Sequence, residues 1–351
     1  MNLTKLFYKI THWEKWHYHV KYIPLYPAWL WYCLKARSMW FFTASNPTLT
    51  FGGFEGESKR EMYEQLPMSL YPKSIYISPS LSFVEVEKLF NENCFEYPVA
   101  VKPDIGMMGF MFRKIGNSDE LKLYHAKMQC EYIIQVLVTY PMEVSVFYYR
   151  FPDQQKGTIT GFLKKEVPEL IGDGSSTLSQ LIDHLALRPG FNVAEWKAKH
   201  YNSLNEIIPL GETYRLSIVA NLSRGGRLIS LANEKDERLL KVFDALANYT
   251  KHFYYGRYDI KCKSVEELKN GNFCILEYNG SGAEPHHIYG TGNTLLQAYK
   301  IILHHWKVLH KISRYNHQKG IPYWRFSEGY KFLKTAKKHF KMLKQLDSET
   351  V

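Results

Sequence analysis

The sequence lacks the cysteine patterns that build disulfide scaffolds and zinc sites. It has five cysteines, an odd number, and they are spread along the chain without any C-x-x-C pair. Small secreted domains and zinc modules depend on closely spaced, paired cysteines. We therefore expect reduced, structural thiols in a cytoplasmic protein, with neither a disulfide framework nor a cysteine-bound metal.

Long apolar runs are missing as well. The longest early stretch without a charge extends from Tyr22 to Leu34, and its 13 residues include Pro24 and Pro27. Because a spanning helix needs roughly 20 apolar residues, this stretch cannot cross a bilayer by itself. The first residues also lack the apolar run and the small-residue cleavage site of a signal peptide. Any membrane contact is therefore expected to be peripheral, on the inner membrane face.

Acidic residues are nearly absent from the C-terminal region. Between Lys300 and Lys344 stand twelve lysines and arginines and one acid, Glu328, and this difference equals the net charge of +11 of the whole chain. Residues 332–346 have the apolar spacing of an amphipathic helix. A basic helix of this kind binds an anionic membrane surface or packs on the fold by its apolar stripe, and the sequence leaves both open. Nucleic acid is the least expected partner, because no recognised binding motif accompanies the charge.

What the chain does have is length and aromatic content. Aromatic residues make up 15% of its 351 residues, which excludes a disordered chain. We expect an aromatic-rich, helical N-terminal segment over 1–55, two lobes over 56–130 and 131–293, and a basic helical tail over 294–351. Five tryptophans of the first segment are suited to a membrane interface, where amphipathic rings are favoured. They are Trp13, Trp16, Trp29, Trp31 and Trp40.

Strands and helices alternate through the two expected lobes, which predicts an α+β fold. The predicted strands lie at 73–77, 98–103, 110–115, 132–138, 143–149, 157–162, 254–262 and 272–279, with two more within 214–233. The predicted helices lie at 81–91, 118–127 and 235–252.

The first of three polar constellations is a lysine beside a glycine loop. Lys102 ends a predicted strand, and Gly106 and Gly109 follow it. Glycine allows the backbone to approach phosphates, so such a loop places one cation and several N–H groups around a polyphosphate. The G-K-[ST] sequence of a Walker A loop is missing. An ordinary strand–turn–strand hairpin is the alternative.

The second constellation lies on the last two predicted strands. Strand alternation puts Arg257 and Asp259 on one face, and Glu277 and Asn279 on one face. If the two strands pair, the three oxygen-bearing side chains converge, and hard oxygen ligands suit Mg²⁺. Arg257 would then stabilise charge on a transferring phosphoryl group. A surface face with a chance salt bridge is the alternative.

The third constellation is the apolar strand Ile133–Val138, with Glu143 beyond it. The end of a buried strand can offer backbone amide groups to adenine, and a carboxylate beyond it can hold ribose hydroxyls. By itself this stretch is equally a core strand.

Taken in this order, over roughly residues 55–290, the three constellations resemble the ATP-grasp superfamily. The nearest resemblance is to the carboxylate–amine ligases, such as D-alanine–D-alanine ligase and the ATP-grasp part of cyanophycin synthetase. It implies an ATP-grasp fold, in which two α+β lobes clasp ATP and Mg²⁺, with Mn²⁺ as a substitute metal. Fold-level resemblance does not identify the substrates.

The resemblance also implies roles for individual residues. Nucleotide contacts are expected from Lys59, Lys102, Gly106, Gly109, Gln135, Val136, Val138 and Glu143. Metal ligation is expected from Asp259, Glu277 and Asn279. Catalytic roles are expected for Arg257 and for Arg224, in the glycine-containing segment 222–226.

A further stretch, Gly172-Asp173-Gly174 followed by Thr177, is similar to an insertion of the cyanophycin-synthetase relatives. A capped turn before a helix is the alternative.

The resemblance implies a ligase that activates a carboxylate as an acyl phosphate and couples it to an amine. A kinase that stops at phosphoryl transfer, or a non-catalytic ATP-binding scaffold at a membrane, is the alternative. Only about 55 residues precede Lys59, and they do not read as the α/β domain that many such ligases carry there. A large, cell-envelope or membrane-associated substrate is therefore expected.

Overall fold

Two antiparallel sheets with helices packed against them organise the protein. The computed structural model describes residues 13–185, 193–216, 226–289 and 291–348. The strands are β1 Ser74–Ile77, β2 Val99–Pro103, β3 Arg113–Ile115, β4 Tyr132–Val136, β5 Met142–Tyr149, β6 Thr158–Glu166, β7 Glu169–Ile171, β8 Thr213–Arg215, β9 Arg227–Ser230, β10 Tyr255–Cys262 and β11 Phe273–Asn279. The α-helices are α1 Tyr18–Tyr22, α2 Tyr26–Ala36, α3 Lys59–Tyr63, α4 Phe83–Glu92, α5 Ser118–Lys127, α6 Leu178–His184, α7 Val193–Lys199, α8 Glu237–Thr250, α9 Val265–Lys269, α10 Leu295–Gln318 and α11 Phe326–Ser348. The predicted α+β class is confirmed.

The first sheet has the strand order β1-β4-β2-β3. One of its faces buries alternate apolar residues, among them Val99, Val101 and Ile134, against α4, α5 and α11. The other face carries Lys102 and Gln135, because side chains alternate along a strand. Strand β4 belongs to this sheet, although it follows the lobe boundary expected at residue 130.

The second sheet has the order β11-β10-β5-β6-β9. Val146, Tyr258 and Ile260 on one face pack against Leu239 and Phe243 of α8. Asp236 caps α8 by accepting a hydrogen bond from the backbone N–H of Leu239, which satisfies one of the free N–H groups at the helix start. The opposite face of the sheet is divided between an apolar half and a polar half.

The aromatic N-terminal segment covers the apolar half. Phe41 and Phe42, each at most 1% exposed, share a buried cluster with Phe147 and Tyr255 of the sheet and with Ile312 of α10. This segment is therefore part of the core. The polar half remains open towards the first sheet.

The second helix of the basic tail, α11, packs by its apolar stripe. Phe340, Leu343 and Leu346 of α11 join the cluster beneath the first sheet. Asp347 forms an ion pair with Arg113, with 2.9 Å between Oδ1 and Nη1. The lysines of α11 are exposed on the other side. The apolar stripe of α11 is thus buried against the first sheet. Within the described ranges, no helix combines the length and apolarity needed to cross a membrane.

Local structure differs from the sequence-based expectation at residues 110–115, whereas the stretch at residue 173 follows its capped-turn alternative. The strand expected at 110–115 is confined to Arg113–Ile115, because Met108, Gly109 and Met111 adopt positive φ angles and form a turn. The stretch at residue 173 is a capped turn, in which Asp173 accepts hydrogen bonds from the backbone N–H groups of Ser175 and Ser176.

Candidate active site

Tyr63 joins the two sheets at the centre of the cleft. Its hydroxyl donates to the carbonyl of Leu276 in β11 at 2.7 Å and accepts from Lys102 and Gln135 of the first sheet at 3.1 and 3.2 Å. Leu276 is the extra residue of a β-bulge between β10 and β11. Bulges redirect backbone groups, and here the redirected carbonyl faces the first sheet.

Lys102 lies in this junction without a hydrogen-bonded carboxylate. Its Nζ donates to the Tyr63 hydroxyl at 3.1 Å and to the Leu276 carbonyl at 3.4 Å. Burial lowers the pKa of Lys102 from 10.5 to about 8, although the charge of Glu277 opposes the shift. A cation held mainly by neutral oxygens is available to an anionic ligand.

Lys59 begins α3 and reaches the same space. Ser58 caps the helix, and its hydroxyl donates to Asp104 at 2.6 Å, which ties the helix to the loop after β2. The Lys59 Nζ lies 3.3 Å from the Glu277 carboxylate. A Cβ atom placed on Gly106 would approach this Nζ to 3.5 Å. The glycine loop thus passes directly beside Lys59, while Gly109 supplies a positive φ of 72° in its turn.

Asp259 is the centre of a charged cluster on the second sheet. Its carboxylate accepts from Lys165 at 2.9 Å and from Arg257 and Asn279 at 3.3 Å each. Burial opposes ionisation, but Arg257 and Lys165 outweigh it and hold the pKa of Asp259 well below its ordinary value. Glu277 is the direct partner of Asp259 in the β10–β11 register.

Glu143 extends this cluster along β5. It lies 3.4 Å from Lys165, and burial raises its pKa although Lys165 opposes the shift. Of the residues expected to contact adenine, Gln135 donates to Ser74 and Tyr63, and the Val136 N–H donates to the carbonyl of Lys73.

Val138 follows the end of β4 and is held from the second sheet. The Val138 carbonyl accepts from Lys261 at 3.2 Å. Lys102 and Gln135 through Tyr63, Lys59 through Glu277, and Val138 through Lys261 are thus each connected to the second sheet.

Arg257 also contacts the loop that follows β11. Its Nη1 donates to the carbonyl of Glu284 at 3.1 Å and to Nε2 of His286 at 3.3 Å. Burial and then the Arg257 charge hold the pKa of His286 well below its usual range. The Glu284 carboxylate accepts in turn from Tyr22 at 2.8 Å and from Tyr289 at 2.7 Å. The N-terminal segment is therefore linked to the arginine.

The donor set beside Arg257 fits a hard divalent cation. Asp259 and Glu277 are paired across two strands, Asn279 adds an amide, and oxygen donors are the ones Mg²⁺ prefers. Among the residues that the structure describes, no group of three or more His, Cys, Asp or Glu side chains could hold a metal. A cation here would therefore need further oxygens from phosphate or water. Phosphates would also compete for the lysines that these carboxylates now neutralise.

The structure adds residues that the sequence-based expectation missed. Tyr63, Lys165, Glu284 and His286 all contact expected site residues. Lys165 could have been found only through the β5–β6 register, which pairs it with Glu143. Arg224 and most of the segment 222–226 lie outside the described residues.

Comparisons with known proteins give resemblances only at the level of structure. No protein-family model matches the sequence, and no curated protein matches it. One similar solved structure is D-alanine–D-alanine ligase from Bacillus anthracis, with 18% identity and a TM-score of 0.39, covering 75% of this chain and 69% of that one. Another is the ATP-grasp ligase PsnB, with 13% identity and a TM-score of 0.37, covering 71% and 60%. The chain resembles ATP-grasp ligases.

A third similar structure is the bifunctional glutathione synthetase from Pasteurella multocida, with 14% identity and a TM-score of 0.39. The match covers 72% of this chain, which spans 38% of the length of that protein. The roles of individual residues depend on the geometry of the site itself.

Replacing Lys102 by Met is expected to raise the melting temperature at neutral pH and to weaken ATP binding. The folded pKa of about 8 lies below the ordinary 10.5, so folding disfavours the charged form. This penalty is complete below about pH 8 and disappears as the pH rises to 10.5. Calorimetry across this range should show the gain in melting temperature shrinking with pH.

Lys114→Met is the matched control, since Lys114 lies exposed on β3 of the same sheet. It should change neither the melting temperature nor the affinity for ATP appreciably. The neighbours of Lys102 remain bonded in the Met variant, because Tyr63 still donates to Leu276. A lower melting temperature for Lys102→Met at neutral pH would contradict the prediction.

Proposed function

We propose that the chain is an ATP-dependent ligase that activates a carboxylate as an acyl phosphate and joins it to an amine. The observation that carries the proposal is the charge cluster between the two sheets, in which four cations lie beside three carboxylates. The cations are Lys59, Lys102, Lys165 and Arg257, and the carboxylates are Glu143, Asp259 and Glu277. Cations gathered in a cleft favour a polyphosphate, and carboxylates among them favour a metal ion bound with it.

Each group has a role in this proposal. Lys59 and Lys102 hold the phosphates, with Gly106 and Gly109 in the loop beside them. Residues 135–138 hold the adenine, and Glu143 holds the ribose. Asp259, Glu277 and Asn279 would hold Mg²⁺, which when bound neutralises phosphate charge.

The proposed reaction has two steps. An oxygen of the substrate carboxylate attacks the γ-phosphorus of ATP, and the bond from this phosphorus to the β,γ-bridging oxygen breaks, which releases ADP. The amine nitrogen then attacks the acyl carbon, loses a proton, and inorganic phosphate leaves with the former carboxylate oxygen. Arg257 stabilises the negative charge that develops during the phosphoryl transfer.

We further propose that the substrate is large or membrane-associated and that the protein acts in the cytoplasm, at the inner membrane face. The aromatic N-terminal segment supports this, because it contacts the loop that holds Arg257. The exposed lysines of α11 would add attraction to an anionic surface.

ADP release should require a carboxylate and an amine together. The test is a screen of carboxylate and amine pairs, including extracts of cell-envelope material, with ADP and phosphate measured separately. A ligase releases both products only when both substrates are present. ADP release with the carboxylate alone, and a stable phosphorylated product, would replace the ligase by a kinase. ATP binding without turnover on any pair would favour the scaffold.

A further inference from the structure

An unusual surface lies on the outer side of the N-terminal helices. Five large apolar side chains there are between 40% and 71% exposed. We call them the α2 stripe, and they are Ile23, Tyr26, Leu30, Trp31 and Leu34. Their spacing of three or four residues, with one adjacent pair, places them on one side of α2 and of the turn before it.

The inner side of the same helix is apolar as well and is already used. The ring of Trp29 lies 5.0 Å from that of Phe41 and 5.1 Å from that of Trp306. Tyr32 packs against His310, with 4.9 Å between the ring centroids. A surface helix of a globular protein presents polar residues to water, whereas a helix that is apolar all round is covered on all sides. The α2 stripe therefore has the composition of a surface that binds another molecule or a membrane.

Charge indicates which partner fits. Between Glu14 and Glu55 the sequence contains no acidic residue. Lys35 and Arg37 stand exposed at the end of α2, and the Lys35 Nζ lies 4.9 Å above the ring of Trp31. Two cations thus stand at the C-terminal end of the stripe, in a stretch of sequence without acids.

We propose that the α2 stripe docks on the surface of an anionic phospholipid bilayer. The 11 residues of α2 extend about 16 Å at 1.5 Å per residue, about half of the hydrocarbon thickness. The helix therefore lies in the plane of the interface, with Leu30 and Leu34 towards the acyl chains. Trp31 and Tyr26 sit at the headgroup level, where such rings are favoured, and Lys35 and Arg37 meet the lipid phosphates.

This surface differs from the one expected from sequence alone. Of the five tryptophans considered there, Trp31 is 55% exposed, and the others are buried or half-buried. Trp13 and Trp29, for example, pack against Tyr289 and Phe41. The apolar stripe of α11 is covered by the first sheet. Apolar contact with the membrane is therefore assigned to α2, and α11 can contribute only the charge of its lysines.

Flotation of the full-length protein with liposomes tests the proposal without ATP or substrate, so its outcome is separate from that of the ligase assay. The vesicles are phosphatidylcholine alone and phosphatidylcholine mixed with phosphatidylglycerol. Wild type is expected to float with the mixed vesicles at low salt and to be released at high salt, where charge attraction is screened. The double variant Trp31→Gln, Leu34→Gln should lower the partition coefficient at least about tenfold, because the interface buries both side chains.

The matched control is Val84→Gln, Leu123→Gln. Both side chains are exposed, by 74% and 65%, on helices α4 and α5, and this variant should bind like wild type. Absence of flotation of wild type at low salt would overturn the proposal, as would equal flotation of the stripe variant. A wild-type dimer in light scattering that the stripe variant converts to a monomer would assign the stripe to a second copy of the chain instead.

Discussion

Asp259→Asn is expected to remove the contribution of Mg²⁺ to ATP binding and to lower the rate of ADP release by about 10²–10³-fold. The carboxylate of Asp259 is the buried acceptor for Lys165, Arg257 and Asn279. The amide keeps the size of the side chain but removes its charge, so a hard cation loses an anionic ligand. Calorimetric titration of ATP with and without Mg²⁺ separates the loss of metal binding from any change in the contacts between the lysines and the phosphates.

ATP without metal should bind the Asp259→Asn variant at least as well as wild type, because one negative charge has left the cleft. Asp153→Asn is the control, since Asp153 is exposed outside the cluster. The same Mg²⁺-dependent gain in affinity for Asp259→Asn and wild type would remove Asp259 from the metal site.

The variant also changes the pH dependence of stability. The folded pKa of Asp259 is depressed, so its ionised form contributes stability above its ordinary pKa of about 4. This contribution is lost as the pH falls through the folded value. Asp259→Asn should therefore be less stable than wild type at neutral pH, with a difference that diminishes in acid. The variant must be shown to be folded before its binding is interpreted.

Asn46→Ala is expected to lower the free energy of unfolding by about 3–5 kcal/mol, because several buried hydrogen bonds are lost together. Asn46 is fully buried. Its Oδ1 accepts from the backbone N–H groups of Tyr254 and Tyr255 at 2.9 and 3.1 Å. Its Nδ2 donates to the carbonyls of Tyr255 and Gly52 at 2.9 and 3.1 Å. One side chain thus fastens the N-terminal segment to β10.

Urea unfolding followed by circular dichroism measures the effect. Asn91→Ala is the control, since Asn91 is exposed on α4, and it should shift the free energy of unfolding by less than about 0.5 kcal/mol. An Asn46→Ala midpoint equal to that of wild type would mean that the N-terminal segment does not share the cooperative unfolding of the sheet.

The link between the N-terminal segment and the site has a functional consequence. Tyr22 bonds to Glu284, and the carbonyl of Glu284 accepts from Arg257. Since Tyr22 directly precedes the first residue of the α2 stripe, contact with a bilayer would occur close to the loop that positions the arginine. This arrangement supports the proposal that the substrate is membrane-associated.

Much of the site was predictable because its signals are local. The alternation of apolar and polar residues in β10 and β11 places Arg257, Asp259, Glu277 and Asn279 on one face, and the observed register pairs them. Lys102 was chosen as a candidate phosphate-binding residue in the same way, because it ends a predicted strand and is followed by glycines. Such patterns repeat every two residues and need no knowledge of distant contacts.

Other positions could not be derived from alternation. Ile275 would share the face of Glu277, but the bulge at Leu276 turns Ile275 into the core opposite Ile260. Lys165 and Lys164 are adjacent in β6, and only the pairing with β5 decides which of them meets Glu143. A bulge and a register are properties of two strands together.

The sequence by itself determined the α+β class, the polar faces of the strands and the lysine beside the glycine loop, because the period of a strand is encoded in consecutive residues. Only the tertiary structure decided that the aromatic N-terminal segment fills half of a sheet face, that α11 covers the first sheet, and that α2 is left with an apolar outer side. These features depend on contacts between residues more than a hundred positions apart, such as Asn46 with Tyr255. Packing complementarity decides which apolar surfaces contact each other, and this cannot be derived from local periodicity.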